Sequence, residues 1–120
     1  MAAALVAGLA VLLSSCGQSG QDLAQQACAH VHRSVRDYTL SVHPGTPAAT
    51  AGLLQKKAET ELRLALPLAA AANSKDGSWN SLMTAISESA TIDEAHLIPS
   101  LTAQCVVADT NQNVNPSASP

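Results

Sequence analysis

Apolar positions along the chain follow two patterns. From Ala2 to Leu13 there are twelve consecutive residues without a polar side chain. From residue 21 onward, apolar residues recur at intervals of three and four, the spacing that places them on one face of an α-helix. Ala24, Ala27, Val31, Val35 and Tyr38 form such a stripe with Cys28 at its edge. Asp22, Gln25, Gln26, Arg33, Arg36 and Asp37 fall opposite, so the spacing predicts a helix from Gln21 to about Tyr38.

The breakers "HPGTPA" follow, with Thr46 as the expected N-cap of a second helix and Pro47 at its first position. That helix keeps Ala51, Leu54, Ala58, Leu62, Ala65, Ala69 and Ala72 on one face and Lys56, Glu59 and Arg63 on the other. Pro67 falls inside it and is expected to kink or restart it, because proline has no backbone donor. "NSKDGS" closes the segment, and Trp79, Leu82, Met83 and Ile86 mark a short third helix. "TIDE", Thr91 to Glu94, has the form of a capping box and is expected to open a fourth. There Leu97, Leu101, Cys105 and Ala108 share a face, with Pro99 in the early turns. No strand pattern occurs. Four helices with short connections predict an all-α fold, a small antiparallel four-helix bundle spanning residues 21–109. The polar segment 110–120 is expected to be a disordered tail.

The first apolar run is too short to span a bilayer, which takes about 20 residues, but it fits the apolar core of an export signal, typically 7–15 residues. It ends in Leu13-Ser14-Ser15-Cys16. That order resembles the bacterial lipobox, an aliphatic residue, two small ones and then cysteine. The resemblance implies a signal peptide over residues 1–15 and cleavage before Cys16. It also implies a diacylglycerol, with acyl chains of the palmitate class, on the thiol of Cys16, which becomes the new N-terminus, with residues 16–20 as lipidated cysteine and short linker. A thiolate is the strong nucleophile such a modification needs. An export signal ordinarily opens with Lys or Arg, whereas "MAAALVAG" offers only its α-amino group. Either the signal is a weak one or translation starts upstream of Met1, and the second is expected.

Export leaves Cys28 and Cys105 as the remaining thiols, in an oxidising compartment where disulfides persist. Two cysteines allow one intramolecular pairing, and an up-down-up-down order makes the first and last helices neighbours. A disulfide is expected between them; buried free thiols and a metal pair are the alternatives. Metal is disfavoured because neither cysteine has a second cysteine or a histidine at ligand spacing.

Composition narrows the function. Hydrophobic residues make up 47% of the chain, but there is no Phe, one Trp and one Tyr, so alanine supplies much of a thin core. Net charge is −3, and the adjacent pair Lys56-Lys57 is followed at once by Glu59 and Glu61. Nothing resembles the clustered basic surface that nucleic acid requires.

"DEAH", residues 93–96, matches a helicase motif by letter, but the phosphate-cradling glycine loop and nucleotide-binding fold are absent from the sequence. Asp93, His96 and Ser100 can share a helix face, yet a regular helix supplies neither an oxyanion hole nor an exposed, positioned serine. His30 and His32, two apart on a helix, point about 200° from each other and cannot chelate one ion. A haem or metal site using His30, His43 or His96 with Met83 is the weaker reading, and Trp79 with Met83 reads as core. No catalytic, metal or cofactor residues are expected.

"ACAHVHRSV", "ELRLALPLAA", "DGSWNSLMTAISES" and "LIPSLTAQC" resemble segments of small actinomycete envelope lipoproteins, over most of residues 27–105. That resemblance implies export, lipidation and a helical fold, and no activity. The expected function is a non-catalytic module on the extracytoplasmic face of the cell membrane. It would be anchored through Cys16 and act by contact with an envelope protein or small ligand. The alternative is a binder of an apolar ligand held between the helices, in a cavity lined by Trp79, Met83 and leucines.

Overall fold

The computed structural model describes residues 17–113. The expected signal segment, the lipobox and Cys16 lie outside them. Four helices follow one another: α1 (Gly20–Ser41), α2 (Ala48–Lys75), α3 (Asn80–Ser87) and α4 (Glu94–Asn113), with single 3-10 turns at Gly77–Trp79 and Glu88–Ala90. No strand occurs among the described residues, and the bundle is antiparallel. α1 packs along most of α2 and against α4, while the short α3 bridges α2 and α4.

A capping box starts α1. Ser19 Oγ accepts from the Asp22 backbone N–H at 3.0 Å, and the Ser19 N–H donates back to the Asp22 carboxylate at 3.3 Å. Two backbone donors that the helix leaves orphaned are satisfied in this way. The helix runs three residues past Tyr38. Its inner face begins with Leu23, Ala24, Ala27, Cys28 and Val31 and ends in polar residues, with Ser34, Asp37 and Ser41 all buried. Asp37 was expected on the solvent side. The buried stripe instead turns polar over the last two turns, and Val35 and Tyr38 are only half-buried.

The α1–α2 loop departs from the expected cap. α2 begins at Ala48, one residue late, with Pro47 as its cap residue and no side-chain cap bond. The Thr46 hydroxyl turns back to the Leu40 carbonyl at 2.9 Å and ties off the end of α1 instead. Gly45 allows this reversal with φ of +92°, a region that costs side-chain-bearing residues strain.

α2 runs uninterrupted through Pro67 and does not restart there. Pro67 is exposed, while Leu62, Ala65, Ala69 and Ala72 are buried on either side of it. Burial of that stripe against α1 offsets the lost backbone bond. The core is rich in alanine, which lets α1 and α2 approach closely. One close approach is at Gly20, where an added Cβ would lie 3.2 Å from the Ala72 carbonyl oxygen.

The expected capping box at Thr91–Glu94 does not form. The Thr91 hydroxyl donates to the Glu88 carbonyl, and α4 starts only at Glu94, whose carboxyl group reaches across to Ser34 on α1. Leu97, Leu101, Cys105 and Ala108 are buried on one face as expected. α4 continues to Asn113, into the stretch expected to be a disordered tail.

Candidate functional site

Cys28 and Cys105 are joined, with Cα atoms 5.5 Å apart and both side chains fully buried. Each lies on the inner stripe of its own helix, so α1 and α4 are clamped at mid-length. Other contacts stitch the same pair of helices near the end of α4. Gln25 donates its side-chain amide to the Ala108 carbonyl at 3.2 Å, and His32 Nε2 pairs with Asp109 at 3.0 Å.

The histidines point to different neighbours, as their two-residue spacing requires. His30 Nδ1 stands 2.6 Å from the Glu61 carboxylate on α2, and Arg33 Nε donates to the same oxygen at 3.3 Å. The bond to His30, then Arg33, holds the Glu61 carboxyl below its ordinary value, against the opposing effect of burial. His43 bonds only the neighbouring Pro44 carbonyl, through Nδ1.

Among the described residues no three His, Cys, Asp or Glu side chains converge as metal ligands. Asp93, His96 and Ser100 are exposed; the His96 backbone N–H donates to the Asp93 carbonyl at 3.0 Å, which caps the helix start and brings no side chains together. Met83 is half-buried, with Asn73 Nδ2 contacting its sulfur at 3.8 Å. Trp79 is buried, and its indole N–H has no partner among the described residues, where the ring packs in the core.

A concavity among the described residues lies away from Trp79 and Met83. An open groove of about 630 Å³ sits at the other end of the bundle. The late part of α1, the middle of α2, the end of α3 and the start of α4 enclose it. Leu62, Leu66 and Ile86 form its apolar side, Tyr38 adds the chain's one tyrosine, and Glu59, Arg63 and Asp93 line the polar side. Glu94 also lines it and is held by the buried part of α1. Ser34 Oγ lies 2.7 Å from the Ala58 carbonyl oxygen and 2.9 and 3.0 Å from the two Glu94 carboxyl oxygens. Burial raises the Glu94 carboxyl above its ordinary value. The charges of Asp37 and Glu59 push the same way, and the Ser34 bond opposes them.

Sequence reasoning missed this polar seam. Its one signal was the run Ser34, Asp37, Ser41 at helical spacing, continuing the line of Ala27 and Val31. No family model matches the chain, and no curated protein or solved structure matches it either. None of the described helices is long and apolar enough to cross a membrane.

Proposed function

We propose that the protein is a lipid-anchored, non-catalytic envelope module. Acyl chains on Cys16 would hold it to the extracytoplasmic face of the cell membrane, where it acts by contact with an envelope protein or small ligand. The observation that carries this reading is the order apolar run, Leu-Ser-Ser-Cys, three linker residues and then a capped helix. Lys75 Nζ donates to the Gln18 carbonyl at 2.5 Å, which ties the linker to the end of α2. An anchor at Cys16 therefore sets that end of the bundle toward the membrane. The groove, which α1 reaches at Tyr38, about 27 Å from Gly20 at 1.5 Å per residue, is left facing outward. Two acyl chains make such an anchor stable, whereas one gives only marginal binding.

The test is metabolic labelling with an alkyne fatty acid, followed by fractionation of cells expressing the wild type or Cys16→Ala. Label and membrane retention should both be lost in the variant, or an uncleaved precursor should accumulate. Unchanged labelling and retention would refute the anchor.

The second reading, an apolar small ligand held between the helices, draws support from the groove wall of Leu62, Leu66 and Ile86. It moves the expected ligand from Trp79 and Met83 to this other end. Saturation transfer from groove methyl groups to a hydrophobic probe such as 1-anilinonaphthalene-8-sulfonate would detect it.

A further inference from the structure

The three oxygens around Ser34 Oγ pose a problem of hydrogen count. Ala58 O is a carbonyl and can only accept. An ionised Glu94 can also only accept, while the Ser34 hydroxyl owns a single hydrogen. With the hydroxyl donating to Ala58 O at 2.7 Å, the short contact to Glu94 is a hydrogen bond only if the carboxyl group supplies the proton. The chain Glu94 O–H to Ser34 Oγ, and Ser34 O–H to Ala58 O, satisfies every group.

We propose that Glu94 is a pH-sensitive latch: as the neutral acid it pins the first turn of α4 to α1 and α2, and on losing its proton it lets that turn detach and reshape the groove. The surroundings favour this. α1 presents Asp37, which is 5% exposed and paired at 3.5 Å with the exposed Arg36 beside it. α2 presents Glu59, together with Arg63, whose charge is opposed by Glu59 at 3.7 Å. Asp93 adjoins Glu94 on its own segment. α3 brings no charged residue, and Glu88 in the turn after it is exposed and outside the groove wall. A carboxylate at Glu94 would thus face Asp37 and Glu59 and compete with the Ala58 carbonyl for the single Ser34 hydrogen.

Leu97 and Leu101 are buried under the same helix and the disulfide holds it further on, so the movement stays local to the helix start and stops short of Cys105. Asp93, Glu94 and Ile92 line the groove, so release of this turn alters its wall whatever the groove binds. The latch is a property of the chain alone and does not depend on the anchor.

The sign follows from linkage. A carboxyl group with a raised folded value stabilises the closed form fully below the ordinary value of 4.5. That contribution is lost as pH rises through the folded value. The experiment is a pH titration of the full chain in detergent micelles, reading the Glu94 carboxyl carbon by NMR and amide exchange at Ile98 and Ser100. Glu94 should titrate above 4.5, and protection of those two amides, corrected for intrinsic exchange, should fall at least tenfold across the same range. Amides flanking Cys105 should hold. Glu94→Gln keeps a neutral donor and should give a flat profile. Titration of Glu94 at or below 4.5, or loss of protection that Glu94→Gln retains, would overturn the proposal. If the variant does not fold, the wild-type carbon titration and exchange profile decide alone.

Discussion

Cys28 and Cys105 are separated by 77 residues of sequence and 5.5 Å of space. The bond closes nearly the whole described chain into one loop. Both sulfurs sit in the dry interface between the first and last helices, beside Val31 and Leu101 in the core cluster. Closing a loop of this length removes about 4–5 kcal/mol of unfolded-chain entropy in the chain-entropy model. That is a large share of the 5–15 kcal/mol typical of a whole domain. Cys28→Ser is expected to lower the melting temperature by roughly 15 °C or more. The checks are calorimetry of the variant and thiol counting on the denatured, unreduced wild type. Titratable thiols at Cys28 and Cys105, or an indifferent melting temperature, would count against the bond as a structural staple.

Gly20 should tolerate little. A Cβ there meets the Ala72 carbonyl, Asp76 Cβ and Trp79 Cδ1 at 3.2–3.4 Å. The carbonyl is fixed by the Asp76 N–H at 2.9 Å. Gly20→Val should cost about 1–3 kcal/mol from overpacking. Gly20→Ala should cost less, because better helix propensity offsets part of the crowding. Urea denaturation of both variants measures this. Equal stability of Gly20→Val and wild type would mean that α1 and α2 are not in tight contact here.

Glu61 should show a pH dependence opposite to that of Glu94. Its carboxyl is held below the ordinary 4.5, so its contribution is present above that value and is lost as pH falls through the folded one. Arg33 is 44% exposed, so water screens part of the pairing and the effect should stay at about 1 kcal/mol or less. Urea midpoints followed from pH 6 down to 3 should converge for wild type and Glu61→Gln as acid removes the difference.

Pro67→Ala should stabilise the protein. The site is exposed, lies within a continuous helix and lacks one backbone bond. Alanine restores that donor, and the propensity gap of about 3 kcal/mol sets an upper bound on the gain. Thermal melts decide the sign. A loss of stability would mean that the proline shapes α2 to fit α1.

Local patterns that repeat over several turns were legible in the sequence. The helical stripes of α2 and α4, and the neighbouring position of the first and last helices, follow from apolar spacing and short connections. The burial of Cys28 and Cys105 follows as well, because many residues vote for the same face. Single-residue devices were decided by tertiary structure. Thr91-x-x-Glu94 has the letters of a capping box, but Glu94 meets Ser34 across the bundle and Thr91 donates to the Glu88 carbonyl instead. Ser19 and Asp22 form the box that exists, with an Asp where the usual signature has Glu or Gln. Asp37 looks like a solvent-facing residue when α1 is read alone, and Ser34 is a polar side chain on the line of Ala27 and Val31. They are buried because α4 begins over them, and only the packed bundle places a carboxyl from residue 94 against a hydroxyl from residue 34.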